Sequence, residues 1–237
     1  MQVIHSPTED SPFLVVFKPA GLPSAPLFEG DESILTQAKK EFPEIDCVHG
    51  KKEVERGLIH RIDTETSGLV LIATSQQCYD FLIQAQKDGK FKKWYRAETE
   101  RIPECASLLG GFPPLPDGIE ITTNKSFFVE SFFRPFAQKG KEVRPVTQDA
   151  GRAALKKGGS VVYGTEILLE SENNALCSIT AGYRHQVRCH LAWCGFPVKG
   201  DKVYNPNARK SSENLEMKFT ACKISFPHPL TGIPQVF

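Results

Sequence analysis

The residues best suited to chemistry lie between Gly57 and Leu69, where one carboxylate, Asp63, occurs in a polar turn directly before an apolar run. Hydroxyl and backbone N–H groups in such a turn can hold a carboxylate in one orientation. A carboxylate held there could act as a nucleophile or base. By itself, an Asp in a turn of this composition is more often an Asx-turn or cap residue. The turn contributes Thr64, Thr66, Ser67 and Gly68.

Strands and capped helices are predicted on both sides of this turn. The apolar runs 69–73 and 13–17 are typical of buried strands, and a turn containing two prolines ends the second of them. Ser33 and Ser75 are predicted N-caps of two amphipathic helices. Residues 92–100 alternate in polarity and indicate a further strand.

The second half of the chain is less regular. Residues 101–160 are rich in Pro, Gly and basic side chains, which predicts hairpins and mobile loops inserted into the main sheet. Short β-like pieces occur at 127–129 and 132–133. Residues 161–169 and 175–180 predict a pair of strands.

A helix is predicted between Gly182 and Gly195, and it carries four side chains able to bind a metal. Two of these are one turn apart, the other two face elsewhere, and the paired Cys-Xaa-Xaa-Cys spacing of structural zinc is missing. We therefore expect no metal. Ser67 lacks a Gly-Xaa-Ser-Xaa-Gly elbow, which disfavours serine hydrolysis. The four side chains are His185, Cys189, His190 and Cys194.

Composition indicates a globular protein with a sizeable core, since 40% of the 237 residues are hydrophobic. The first residues show no basic and apolar leader pattern, and no window approaches the ~18 apolar residues of a membrane span. We expect a cytoplasmic protein that does not contact membranes. Seven cysteines, an odd number, indicate reduced thiols rather than a disulfide framework.

The net charge of +1 hides a basic segment at residues 134–157. This segment holds seven basic side chains against Glu142 and Asp149, hence a local charge of +5. Such a field favours a polyanionic partner, although a solvated loop would have the same composition. The basic residues are Arg134, Lys139, Lys141, Arg144, Arg152, Lys156 and Lys157.

Several separated segments together resemble the motifs of pseudouridine synthases of the RluA/RsuA type. Residues 60–69 read His-Arg-Ile-Asp-Thr-Glu-Thr-Ser-Gly-Leu, similar to the family's His-Arg-Leu-Asp and Thr-Ser-Gly-Leu-Leu. Residues 15–22 resemble Val-Val-Xaa-Lys-Pro-Ala-Gly-Leu, and 93–97 resemble Lys-Xaa-Tyr-Xaa-Ala. Residues 182–190 resemble Gly-Arg-Thr-His-Gln-Ile-Arg-Xaa-His, and 197–204 resemble Pro-Ile-Leu-Gly-Asp-Xaa-Leu-Tyr.

The resemblance implies an α+β fold with a large mixed, mostly antiparallel sheet, flanking helices and a central cleft. It implies one catalytic domain over residues 1–237, with the basic insertion at about 101–160. The implied activity is the isomerisation of uridines in rRNA or tRNA, by a monomer that needs no cofactor. The rival hypothesis is a non-catalytic RNA-binding or RNA-chaperone protein on the same fold.

The resemblance also implies roles for individual residues. Asp63 would be the catalytic carboxylate, acting at C1′, at C6 or through a glycal. Arg188 would pair with it in bidentate fashion, lowering its pKa. Tyr95 would lie against the uracil or accept the C2′ proton. The implied substrate-binding residues are His60, Arg61, Lys93, Arg184, His185 and Gln186, with His60 and Arg61 filling the gap left by a flipped base.

Three residues depart from the family motifs. Tyr183 and Arg184 occupy positions where relatives have Arg and Thr, and Lys199 replaces an apolar residue. The contacts made by the first two positions therefore differ from those in relatives.

Overall fold

The computed structural model describes residues 1–28 and 30–237. Ten strands run along this part of the chain: β1 (Gln2–His5), β2 (Phe13–Lys18), β3 (Ser67–Ala73), β4 (Lys92–Glu98), β5 (Ser126–Phe136), β6 (Glu142–Val146), β7 (Tyr163–Ser171), β8 (Asn174–Ile179), β9 (Phe219–Pro227) and β10 (Pro234–Val236). The helices are α1 (Ile34–Glu41), α2 (Gln76–Lys87), α3 (Cys105–Leu109), α4 (Arg152–Lys157), α5 (Gln186–Trp193) and α6 (Pro206–Lys210). Short 3-10 turns occupy Pro43–Cys47, Glu53–Glu55 and Gln138–Gly140.

The chain divides into two compact units, Met1–Lys93 with Thr220–Phe237, and Trp94–Phe219. The α+β prediction is confirmed, since a mixed, mostly antiparallel sheet is flanked by helices. The prediction of one domain over the whole chain stays a prediction. In the described part of the chain, no helix is long and apolar enough to cross a membrane.

The first unit orders its strands β1-β2-β3-β9, with β10 on β9. β2 and β3 are antiparallel, and both are apolar and buried along most of their length because the unit's core packs on them. Ser33 and Ser75 cap α1 and α2 as predicted, accepting the N–H groups of Thr36 and Cys78. The core includes Phe13, Val15, Leu69, Leu71, Tyr79, Leu82, Phe91 and Phe226.

One glycine fixes the start of β3, the strand that follows the Asp63 turn. Gly68 has φ +128°, and a Cβ there would lie 2.3 Å from the carbonyl oxygen of Ala221 on β9. Only glycine permits this backbone approach, because any side chain would collide with the neighbouring strand.

The second unit orders its strands β4-β8-β7-β5-β6. The predicted pair of strands is confirmed as β7 and β8, and the predicted helix as α5. The expectation of short β pieces is wrong for residues 126–136, which form one continuous strand of 11 residues. This strand pairs with β7 over its first half and with β6 over its second half.

Candidate active site

Asp63 lies in a polar turn directly before β3, as the sequence predicted. The Thr66 N–H donates to the Asp63 carbonyl at 3.1 Å, which closes the turn. The Ser24 hydroxyl lies against Ile62, donating to its carbonyl at 2.7 Å and accepting its N–H at 3.1 Å. Asp63 is half-buried. Its backbone is therefore held on both sides by short hydrogen bonds.

A buried lysine, which we had not singled out from the sequence, fastens the same turn. The Nζ of Lys18 donates to the carbonyl oxygens of Pro19 at 2.9 Å, Leu22 at 2.6 Å and Thr64 at 3.0 Å. Gly21 N–H donates to the Thr64 carbonyl as well, at 2.8 Å. Burial lowers the pKa of Lys18 to about 8, although the nearby charges of Glu65 and Asp63 act to raise it. Lys18 thus places a fixed cation beside the candidate carboxylate.

His60 and Arg61, predicted to face RNA, differ sharply in exposure. The His60 ring is buried against Phe91, with ring centroids 5.1 Å apart, and its Nε2 accepts the Leu71 N–H at 3.2 Å. Burial, and secondarily the charge of Lys93, lower the pKa of His60 to about 3. In the structure the His60 ring packs on Phe91 and holds the backbone of β3, and its contact with RNA stays a prediction. Arg61 is exposed and pairs with Glu55 at 2.9 Å.

Lys93 was also expected to contact RNA, but the side chain is only 4% exposed. Its Nζ lies 5.0 Å from the centroid of the Phe91 ring, and burial lowers its pKa to about 8. A cation buried in this way does not offer its charge to a phosphate at the surface. The structure assigns Lys93 to the interior of the first unit.

In the second unit, Tyr95 stacks on Phe219 with ring centroids 5.2 Å apart and planes within 10°. The ring is 7% exposed. Stacking of this kind fixes the plane of the phenol, so that its hydroxyl points in a defined direction.

Arg188 makes a bidentate ion pair, and the partner observed in the second unit is Asp201. The Nε and Nη2 atoms lie 2.7 and 2.8 Å from the two carboxylate oxygens, and both side chains are almost fully buried. Asp201 also accepts the N–H groups of Val203 and Tyr204. The pair therefore orients Arg188 rigidly. The pairing of Arg188 with Asp63 that the motif implies stays a prediction.

Residues 184–186, which precede Val187 and this arginine, are largely engaged within the second unit. Gln186 is buried, donates to Gly164 and Thr165, and accepts the Tyr183 N–H at 2.9 Å. Its amide thus anchors the start of α5, and its assignment as a substrate contact stays a prediction. His185 Nδ1 lies 3.1 Å from the Tyr204 hydroxyl. Arg184 is exposed, and its guanidinium donates to the carbonyls of Gly140 and Glu142.

One member of the basic segment is not available to a polyanion. Arg144 is fully buried, pairs with Glu142 at 2.7 Å and donates to the carbonyls of Leu109, Gly110 and Val143. Aromatic rings also cover its guanidinium, which lies 4.5 Å from the centroid of Phe112 and 4.2 Å from that of Phe136. We therefore remove Arg144 from the proposed RNA-binding set.

Of the four potential metal ligands in and beside α5, His190 and Cys189 make separate contacts. His190 contacts Ser131 and Thr165, at 3.0 and 2.8 Å, while the Cys189 thiol faces the Val143 carbonyl. Within residues 1–28 and 30–237, no group of three or more His, Cys, Asp or Glu side chains is arranged to hold a metal ion.

Lys18 and Asp201 are two buried charged residues whose roles our sequence reasoning missed. Both lie inside the quoted motifs, Lys18 before Pro-Ala-Gly-Leu and Asp201 after Pro-Val-Lys-Gly. Their position inside these motifs was the available signal, and charged residues are rarely buried unless they are paired.

Comparison with known proteins agrees with these motifs. The sequence model of the family described as RNA pseudouridylate synthase matches residues 12–193. The chain is 27% identical to the dual-specificity RNA pseudouridine synthase RluA of Escherichia coli K12, covering 97% of this chain and 89% of that one. It is also 27% identical to ribosomal large subunit pseudouridine synthase D of Borreliella burgdorferi, over 83% of this chain. The chain spans 53% of the length of that relative.

Solved structures show the same fold. Human RNA pseudouridylate synthase domain containing 1 has a TM-score of 0.66 and 16% identity, covering 100% of this chain and 82% of the human one. The corresponding human domain containing 4 has a TM-score of 0.63 and 19% identity, with coverages of 100% and 87%. Because the family match extends over most of the sequence, the chain belongs to the RNA pseudouridylate synthase family.

Proposed function

We propose that this protein isomerises uridine to pseudouridine in rRNA or tRNA, with Asp63 as the catalytic carboxylate. The observation that carries the proposal is the rigid turn around Asp63, fastened by Ser24, Thr66 and the buried Lys18 cation. A carboxylate on a fixed backbone beside a positive charge is suited to attack or proton transfer at a defined atom.

The reaction breaks the N1–C1′ bond, forms a C5–C1′ bond, removes the C5 proton and leaves a proton on N1. No electrons or groups are exchanged with another molecule, so the proposal requires neither cofactor nor metal. Attack at C1′, addition to C6 and a glycal route all use the carboxylate as an anion.

Tyr95 and Arg188 complete the proposed catalytic set. The Phe219 stack limits the positions that the Tyr95 phenol can take against a uracil or a C2′ proton. Asp201 binds two guanidinium nitrogens of Arg188, so the orientation of the guanidinium does not depend on the substrate. The target base must be flipped out of the RNA before these groups can reach it, at a cost of roughly a few kcal/mol.

Tritium release tests the activity. The purified chain is incubated with rRNA and tRNA transcripts that contain [5-³H]uridine, with EDTA present. We expect tritium to appear in water, because the C5 proton leaves whichever route is taken. RNA binding without release from either class of transcript would contradict the proposal and support the non-catalytic alternative.

A further inference from the structure

A cavity of about 170 Å³ opens in the second unit beside the C-terminal end of α4. Aromatic rings of Phe133, Tyr163 and Tyr183 line one part of it. Lys157, the small residues 158–160 and Val161 line the rest. None of these residues belongs to the proposed catalytic set.

The aromatic part of the cavity is a continuous stack. Tyr183 lies parallel to Phe133, with centroids 5.0 Å apart and planes within 5°, and Phe133 stacks in turn on His190 at 5.0 Å. Tyr163 meets Tyr183 at 5.1 Å with the planes tilted by 50°. Both tyrosines are half-buried, while Phe133 and His190 are buried. The stack is thus anchored in the core and reaches the surface at the tyrosines.

The basic residue that lines the cavity, Lys157, is not neutralised within the protein. It lies on α4 together with Arg152 and Lys156, and all three side chains are exposed. In the part of the chain that the structure describes, none of the three forms an ion pair. Gly159 has φ +73°, and a Cβ placed there would meet no atom within 4 Å, so the wall beside Lys157 is open.

Size and chemistry together identify the class of occupant. A cavity of about 150 Å³ holds one benzene ring, so this one is large enough for a single six-membered ring. Ring stacking on aromatic side chains beside lysines is how proteins bind unpaired bases and their phosphates. Tyr183 stands where the family motif has Arg, and the stack depends on its ring.

We propose that this cavity binds one unpaired pyrimidine base of the RNA, stacked on Tyr183 and Tyr163, with Lys157 on the adjoining phosphate. This proposal rests on the proposed function, since the RNA bound here would be the substrate of the same protein. It would select substrates that offer an unpaired pyrimidine in addition to the target uridine.

The test uses the full chain labelled with 3-fluorotyrosine. It has five tyrosines, so single Tyr→Phe variants assign every ¹⁹F signal. The probes are oligocytidylate, which contains no uridine, an abasic ribose-phosphate oligomer of equal length, and an acidic peptide of equal charge. We expect oligocytidylate to shift the Tyr163 and Tyr183 signals, and the other two probes to leave them in place.

Affinity provides the second measurement. Tyr183→Ala should weaken oligocytidylate binding by roughly 5-fold to 100-fold, the range of one lost base stack. Tyr183→Phe keeps the ring and should bind like the wild type. Phe128→Ala, which removes an exposed ring of β5 that does not line the cavity, should also bind normally. Thermal unfolding of each variant verifies that the fold persists.

Equal affinity of the abasic oligomer and oligocytidylate, with no shift at Tyr163 or Tyr183, would overturn the base subsite. An equal shift with the acidic peptide would overturn it in favour of a protein partner. Oligocytidylate cannot be isomerised, so this result is independent of the tritium assay. A shift at the two tyrosines without tritium release from any uridine RNA would therefore reject the proposed reaction while the base subsite stands.

Discussion

The Nζ of Lys18 donates to the carbonyl oxygen of Thr64 at 3.0 Å, and Thr64 directly follows Asp63. The end of strand β2 is thereby tied to the turn before β3. Two further carbonyls, of Pro19 and Leu22, share the same ammonium group. One buried cation thus holds the backbone of the turn and also places a positive charge near the candidate carboxylate.

Lys18→Met keeps the length of the side chain and removes this cation. We expect a loss of about 2–3 kcal/mol in the free energy of unfolding, because three carbonyl groups lose a charged donor. Turnover should fall as well, since the Asp63 turn is no longer fastened. Urea denaturation and tritium release measure the two effects. Lys87→Met, at an exposed helix end, is the control and should cost less than about 1 kcal/mol. Wild-type stability and turnover in Lys18→Met would contradict this role.

The buried Lys93 predicts a dependence of stability on pH. Its pKa falls from 10.5 to about 8 because of burial. Between these values the unfolded chain holds the proton and the folded chain does not, so the free energy of unfolding rises with pH. The stabilising contribution of neutral Lys93 is complete above the pKa of the unfolded chain, 10.5. It is lost as the pH falls through the folded pKa of about 8. Lys93→Met should therefore respond less to pH than the wild type between pH 8 and 10, as measured by urea denaturation. Parallel curves would show that the lysine keeps its ordinary pKa.

The ion pair of Arg188 and Asp201 should be structurally important. Asp201→Ala leaves a buried guanidinium without its carboxylate, and the loss should be about 3–5 kcal/mol in the free energy of unfolding. The matched control is Glu170→Ala, which breaks an exposed pair with Arg96 and should cost about 1 kcal/mol or less. Similar losses of free energy of unfolding in the two variants would show that the buried ion pair of Arg188 stabilises the fold no more than an exposed one.

The exposed lysines of the basic segment should set the salt dependence of RNA binding. Replacing Lys139, Lys141 and Lys156 by Ala removes three exposed cations. If each contacts a phosphate of single-stranded RNA, the slope of log affinity against log salt should flatten by roughly 2 units. Turnover at saturating RNA should change far less, because phosphate contacts position the RNA backbone. An unchanged slope would show that these lysines are solvated and do not contact RNA.

Local patterns predicted the elements around Asp63 because they are encoded by neighbouring residues. Caps at Ser33 and Ser75 and the apolar run of β3 depend on contacts within a few positions. Glu130 and Ser131 separate the two predicted β pieces in the sequence, whereas in the structure β5 runs through them without a break. Pro135 is tolerated in the half of β5 that pairs with β6.

Burial of charge was harder to predict. Arg144 looks like one more member of a basic loop, yet Phe112, which comes from a segment about thirty residues earlier, lies over its guanidinium. Lys93 and Gln186 were expected at a surface for the same reason, because polar residues are usually exposed. Contacts between segments that are distant in the sequence bury all three side chains. A single sequence carries no local signal for such contacts.

The most direct test of the central claim is turnover by Asp63→Asn on a [5-³H]uridine transcript that the wild type modifies. The amide is nearly isosteric with the carboxylate but cannot attack as an anion or accept a proton as a base. We predict that tritium release disappears while the unfolding transition and RNA affinity stay close to those of the wild type. Measurable tritium release by the folded variant would contradict the assignment of Asp63 as the catalytic carboxylate.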